Sequence, residues 1–358
     1  MYKFQLIPYT LRFVFDARTS RGSMTGKDTL FLKITDTRTN ITGWGECCTI
    51  KNLSLDGDVD YFSVFSTMEN QLKDLSFKNQ EELFRQIAGI VPEKYAALRM
   101  GLETAFSDIL QGGVRKIFEG DFHGGKSRIS INGLVWMGDY NFMKQQVKAK
   151  IEQGFSCIKI KVGSLAFEEE CRLLEYIRTM PSGEEITLRL DANGAFEPEK
   201  ALQKLQKLSA FDIHSIEQPI KAGQHMAMHE LTESSPIPIA LDEELIGVTG
   251  KDAKDQLLKT IRPDYLVLKP SLHGGFGSVS EWIALAEKQG IGWWVTSALE
   301  SDIGLNAIAQ YTDQFNPVLP QGLGTGKLYS NNIASPLRQV GEYLEYQAKE
   351  CWKFEGMR

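Results

Sequence analysis

Five short apolar runs between residues 157 and 269 each end on a charged residue, and their spacing leaves the chain few ways to fold. The runs cover 157–161, 186–191, 213–217, 237–242 and 265–269 and close on Lys161, Asp191, Glu217, Asp242 and Lys269. Successive ends lie 30, 26, 25 and 27 residues apart, about the length of a strand, a helix and two turns. Side chains alternate across a strand, so each terminal charge faces away from its apolar neighbours: Ile158, Ile160 and Val162 oppose Lys159 and Lys161. Leu188 and Leu190 likewise oppose Asp191, Ile239 and Leu241 oppose Asp242, and Leu266 and Leu268 oppose Lys269. Further strands are expected over 130–136, 292–297 and near 318–322, making eight candidates across residues 126–325. Between several of them lie helical stripes, such as Phe142/Val147/Ile151 ending at Gly154, Phe167/Cys171/Leu174/Ile177, and Leu202/Leu205/Leu208 behind Pro198. Strand and helix alternating at this period imply an α/β fold with parallel βαβ units closed into a (β/α) barrel. A doubly wound open sheet is the alternative, but no GxGxxG follows the first strand.

The barrel is flanked by sequence of a different kind. Residues 1–46 read as a meander of strands over 2–15, 29–35 and 41–46, interrupted by a polar, glycine-bearing break at 16–26 that is expected to be a loop. That loop has two readings, a mobile hairpin tip or a lid over a site. From about 60 to 118 the period becomes helical, with Leu83/Ile87/Ile90 and Ala96/Met100/Ala105/Leu110 as stripes. Residues 1–125 are therefore expected to form an α+β domain, and 326–358, with Tyr343, Tyr346 and Trp352, to pack back onto it.

Charge and cysteine content narrow the class of partner. Net charge is −6, and no Lys/Arg run is long enough to serve as a nucleic-acid or lipid-headgroup surface. Five cysteines form no CxxC pair, which suits reduced thiols in a cytoplasmic protein. The N-terminus alternates like a strand and lacks the plan of a signal peptide, and no apolar run approaches the roughly 20 residues of a membrane helix. A small molecule is the expected partner, and oligomeric state leaves no signal in the sequence.

In a barrel the C-terminal strand ends surround one mouth, so these five charges converge. Three carboxylates on consecutive strands raise one another's pKa unless a cation neutralises them. Oxygen-only ligands select a hard divalent ion such as magnesium or manganese over zinc. Any one of Asp191 or Asp242 alone would also suit a helix N-cap, and the lysine pair alone would suit a solvated edge strand. Lys161 and Lys269 flank the trio, and Lys159 lies one layer deeper. A carboxylate substrate seated on the metal would carry a lysine on each side of its α-carbon, and a lysine with a lowered pKa can take that proton. A Schiff-base aldolase also uses a barrel lysine but has no need of three metal-binding carboxylates.

The set Lys159-x-Lys161, Asp191-Ala192-Asn193, Glu217-Gln218-Pro219, Asp242-Glu243 and Lys269 resembles the enolase superfamily, in its branch with a lysine on each face. The resemblance covers essentially the whole chain and implies a modified (β/α)7β barrel of the TIM type under an α+β N-terminal capping domain. Within that branch, Ser20-Arg21-Gly22, Gly45-Glu46-Cys47, Ile131-Asn132-Gly133-Leu134, Ser297-Ala298-Leu299-Glu300-Ser301 and Gly322-Leu323-Gly324-Thr325 look like the o-succinylbenzoate synthase family. That likeness implies Lys161 as base and then acid, Lys269 as stabiliser from the other face, and magnesium (or manganese) on Asp191, Glu217 and Asp242. It makes Asn193 a substrate contact or a support behind one, leaves Glu243 as either a metal ligand or a partner of a lysine, and lets the backbone at Gly322 and Leu323 leave room for the substrate's distal part. Arg21 is either a contact for the anionic end of the substrate or a solvated loop residue. Ser297 is either a substrate contact or the cap of the next helix. Racemases and epimerases of N-acylamino acids or dipeptides are the rival readings. The dipeptide epimerases usually carry Asp-x-Asp after the last strand, whereas 322–328 holds no acid here. A non-catalytic barrel is the remote one.

Overall fold

A computed structural model describes residues 1–19, 22–180 and 183–354. The chain opens with two long antiparallel strands, β1 (Tyr2–Thr19) and β2 (Gly22–Asp36), followed by β3 (Thr42–Cys47) on the far edge of β2. Of the polar stretch expected as a loop at 16–26, the described residues 16–19 and 22–26 are instead strand. Ala17 pairs with Met24 and Thr19 with Gly22 after a register shift beyond Arg12. Ladder hydrogen bonds hold an extended backbone whatever the side chains, which is why composition alone misreads it. Arg21 lies outside the described residues.

Three helices complete the cap: α1 (Tyr61–Lys73), α2 (Gln80–Ile90) and α3 (Ala96–Leu110). Asp60 and Asn79 cap the first two by accepting from the backbone N–H of Phe62 and Glu82. α3 is buried nearly all round because β3 meets it without side chains. A Cβ on Gly45 would stand 1.9 Å from the carbonyl oxygen of Gly101, and one on Gly43 1.9 Å from that of Ala105.

The stretch expected as one strand at 130–136 is two. β4 (Arg128–Ser130) joins a small antiparallel sheet with β12 (Leu337–Val340) and β13 (Tyr343–Tyr346), and β5 (Gly133–Val135) starts the barrel. Seven parallel strands follow in sequence order: β5, β6 (Cys157–Lys161), β7 (Thr187–Asp191), β8 (Ile213–Glu217), β9 (Ile239–Leu241), β10 (Tyr265–Leu268) and β11 (Gly292–Val295). The expected eighth strand near 318–322 is reduced to bridges. Gln321 pairs with Ile131 and Gly322 with Thr296, so two residues stitch the last strand to the first and close the barrel. The intervening helices are α4 (Tyr140–Glu152), α5 (Phe167–Thr179), α6 (Pro198–Leu208), α7 (His225–Ser234), α8 (Lys251–Ile261), α9 (Gly275–Lys288) and α10 (Asp302–Asp313).

The alternation read from sequence sets the two faces of the barrel wall. Ile158, Ile160, Leu188, Leu190, Ile239, Leu241, Leu266 and Leu268 all pack into the helix-side core. The interior holds Ala240, Val267 and Trp294, with the Arg189 guanidinium 4.0 Å over the Trp294 ring. Phe142 departs from its expected stripe: it is exposed, and Met143 and Val147 bury the α4 face instead. After the barrel the chain touches both parts. Val14 N–H donates to the Leu328 carbonyl, and the Trp44 and Phe354 rings stack at 4.4 Å. On the barrel side, Ile131 N–H donates to the Glu342 carbonyl and Ser156 N–H to its carboxylate. No described helix is long and apolar enough to cross a membrane.

Candidate active site

Strand register brings the charges together. Lys161 stands beside Asp191, and Asp191 beside Glu217, as direct partners across β6, β7 and β8. Lys159 Nζ lies 2.5 Å from Glu217 Oε2 and 2.9 Å from Asp191 Oδ2. Lys161 Nζ donates to the same Asp191 oxygen at 2.9 Å and to Asn193 Oδ1 at 2.7 Å. Asn193 Nδ2 in turn donates to Glu243 Oε1 at 2.9 Å. Lys269 is ion-paired to Asp242 at the end of the neighbouring strand. Lys159, Lys161, Asp191 and Glu217 thus form one network with Asn193 and Glu243, the Asp242–Lys269 pair stands beside it, and Lys159 enters as an ion-paired member rather than as a bare cation beside Lys161.

Burial decides the electrostatics. Asp191, Glu217 and Asp242 are 1%, 2% and 0% exposed, so desolvation pushes all three carboxyls upward. The Lys159 and Lys161 charges more than reverse this for Asp191, and Lys269 and Lys159 do so for Asp242, holding both below the usual range. Glu217 goes the other way: burial and the Asp191 charge outweigh Lys159, and its carboxyl rises well above normal. Glu243 rises too, through burial and the neighbouring Asp242. Burial pulls Lys269 down, but Asp242, Glu217 and Glu243 carry it above its ordinary value.

The donor chemistry fits a hard divalent cation. Glu217 Oε1 and Asp242 Oδ1 are buried without a hydrogen-bond partner, an arrangement that otherwise costs stability. All three carboxylates offer oxygen only. As the side chains stand, no three acidic, imidazole or thiol groups among the described residues gather into a ready cage, because Lys159 stands between Asp191 and Glu217.

The network floors a cavity of about 750 Å³ lined by Lys159, Lys161, Asp191, Asn193, Glu243 and Lys269. The cap roofs it with Phe15 and Met24 of the hairpin and with residues 50–53. Gly322 is in the wall, where a Cβ would stand 2.1 Å from Thr296 Oγ1. Leu323, expected beside it, is fully buried in the helix-side core, since alternation sends its side chain away from the cavity. Ser297 lines the cavity, but it does not cap the next helix. Its hydroxyl donates to Glu300 Oε2 at 2.5 Å, and Ser301 caps α10.

Sequence reasoning missed two residues that hold the floor in shape. Gln218 sits at φ 42° and accepts from the N–H of Asp242 and Glu244, tying the end of β8 to that of β9. His273, buried and lowered to about 3 chiefly by desolvation, accepts the Lys269 N–H on Nδ1. An amide after a strand-end carboxylate was the available signal for the first. Nothing in the local sequence marks the second.

Comparison with known proteins identifies the family. Residues 142–323 match the family described as enolase C-terminal domain-like. An o-succinylbenzoate synthase of Desulfotalea psychrophila is 43% identical over 350 residues, 92% of this chain and 94% of that protein. The crystal structure of MenC from Desulfotalea psychrophila LSv54 superposes with a TM-score of 0.86 at 39% identity, covering 96% of this chain and 99% of that one. The L-Ala-D/L-Glu epimerase of Bacillus subtilis is more distant, 26% identical over 75% of this chain and 73% of its own length. The chain belongs to the enolase C-terminal domain-like family and matches, along nearly its whole length, an o-succinylbenzoate synthase.

Proposed function

We propose that the protein is an o-succinylbenzoate synthase, a lyase that removes water from 2-succinyl-6-hydroxy-2,4-cyclohexadiene-1-carboxylate. The observation that carries the reading is the pair Lys161 and Lys269, from β6 and the end of β10, facing one cavity with three buried carboxylates between them. Asp191, Glu217 and Asp242 would hold a magnesium ion, which supplies positive charge against the substrate carboxylate as negative charge builds there. Lys161 takes the proton from the ring carbon that bears the carboxylate. Its conjugate acid then returns a proton to the departing hydroxyl on the neighbouring carbon, so a carbon–hydrogen and a carbon–oxygen bond are exchanged for a ring double bond and water. Both transfers use one lysine, which makes the elimination syn. Lys269, held by Asp242, presents its ammonium from the other side. Asn193, bridging Lys161 and Glu243, orients the base. Aromatisation of the ring drives the step.

The two-lysine floor also suits racemisation of N-succinylamino acids, in which the lysines alternate as base and acid. One experiment separates the readings: the purified protein is mixed with the cyclohexadiene carboxylate and magnesium, then with chelator, and the diene absorbance is followed. Rapid, magnesium-dependent loss is expected. No loss, combined with α-deuterium exchange into an N-succinylamino acid, would replace the synthase by the racemase.

A further inference from the structure

The two lysines that face the cavity are not supported alike. Lys161 is still paired with Asp191 inside the ladder between β6 and β7. Lys269 stands past the end of its own strand. The ladder between β10 and β11 stops at Leu268 beside Val295, and the one between β9 and β10 stops earlier, at Leu266 beside Leu241. From there the β9 chain leaves the sheet through Asp242 into a helical turn over Glu243–Leu245. The Lys269 N–H therefore has no strand to donate to on that side.

An imidazole fills the gap. His273, four residues on and 4% exposed, accepts the Lys269 N–H on Nδ1 at 3.0 Å, so Nδ1 carries no proton and Nε2 carries one. Among the described residues Nε2 has no hydrogen-bond partner. A buried N–H left unpaired costs stability, and a leucine would fill similar space without that cost. What the imidazole contributes here is the acceptor at Nδ1. The rest of the loop is fixed by other groups: the Ser271 hydroxyl donates to Glu300 at 2.6 Å, and the Phe276 N–H to Glu103 of α3 at 2.5 Å.

A lysine carries its ammonium on a flexible four-carbon stem. Asp242 fixes only the tip, so a defined place for the ammonium also needs a fixed backbone. We propose that His273 is a positioning residue for Lys269: Nδ1 stands in for the missing strand pairing and keeps the ammonium at the cavity. This rests on the proposed reading for what Lys269 does there, not for how it is held.

Two variants test it. In His273→Asn, Oδ1 lies as many bonds from the backbone as Nδ1 and accepts the same N–H, whereas in His273→Leu nothing can. With the cyclohexadiene carboxylate, His273→Leu should lower kcat about ten- to a hundredfold with KM changed less than about threefold, and His273→Asn should recover most of kcat. In NMR of protein labelled at the lysine ε-carbons, the Lys269 signal, assigned by its loss in Lys269→Met, should shift or broaden in His273→Leu and keep its wild-type position in His273→Asn. Should His273→Leu fail to fold by circular dichroism, His273→Gln, whose acceptor sits one bond too far, takes its place. Wild-type kcat in His273→Leu, equal losses in both variants, or an unmoved Lys269 signal overturns the assignment. A wild type without turnover would instead remove the synthase reading, and the Lys269 signal, which needs no substrate, still decides whether His273 positions the lysine.

Discussion

Lys161 is held by one carboxylate oxygen and one amide oxygen, so its ammonium has a fixed place at the cavity floor. On the proposed mechanism that single group is both base and acid, so Lys161→Ala should lower turnover by at least about a thousandfold while magnesium binding and circular dichroism stay unchanged. Survival of more than a few per cent of activity would mean a different base. Asp191 carries two lysines and is the carboxylate most firmly kept ionised. Asp191→Asn should weaken magnesium binding at least about tenfold in calorimetry. Unchanged affinity would move the metal elsewhere. At this scale the sequence was informative because a strand has period two: once Lys161, Asp191, Glu217, Asp242 and Lys269 are known to end strands, their faces follow. Leu323 obeyed the same rule, its side chain turned to the helix-side core. Gln218 and His273 were hidden because their work is done through backbone N–H groups, which composition does not display.

Helix docking shows how elements respond to pH. Glu103 on α3 accepts the N–H of Phe276 at the start of α9, and burial raises its carboxyl to about 8. Its folded pKa lies above the unfolded one, so the folded state holds the proton more tightly. The stabilisation is complete below the ordinary carboxylate range and is lost as pH rises to about 8. Unfolding free energy should therefore fall by about 1.4 kcal/mol per pH unit across that window from this group, and Glu103→Gln should flatten the slope in denaturant titrations. An unchanged slope would show that Glu103 does not couple α3 to α9 through its proton. Among the strands, the seam is the fragile element. Gly322→Ala would drive a Cβ into Thr296 and should cost about 1–3 kcal/mol, measured by urea melts. The sequence suggested a strand near 318–322 as the last of the recurring short runs. The chain needs only enough hydrogen bonds to satisfy the two edges, and Gln321 and Gly322 supply them. The strand residues at 16–19 and 22–26 escaped for the opposite reason, since their ladder is written in backbone and not in apolar alternation.

Over the whole molecule, cap and barrel are joined by buried polar contacts. Glu46, at the end of the cap sheet, accepts from the N–H and hydroxyl of Ser301, from the N–H of Gly304 and from the hydroxyl of Thr29. Removing one such acceptor leaves several donors unsatisfied at the N-terminus of α10. Glu46→Ala should destabilise the protein by about 3–5 kcal/mol and loosen the cavity roof, raising KM as well. A variant as stable as wild type would show that the cap is held by its apolar contacts alone. The order of the chain has its own consequence. The first barrel strand is preceded by β4, whose partner β13 arrives more than two hundred residues later, and the seam at 321–322 comes nearly as late. During synthesis, therefore, the barrel stays an open curved sheet with both edges exposed until residues 321–322 have been made. A ribosome stalled before residue 336 would carry a nascent chain that proteases cut within the barrel, and that depends on chaperones to keep those edges apart.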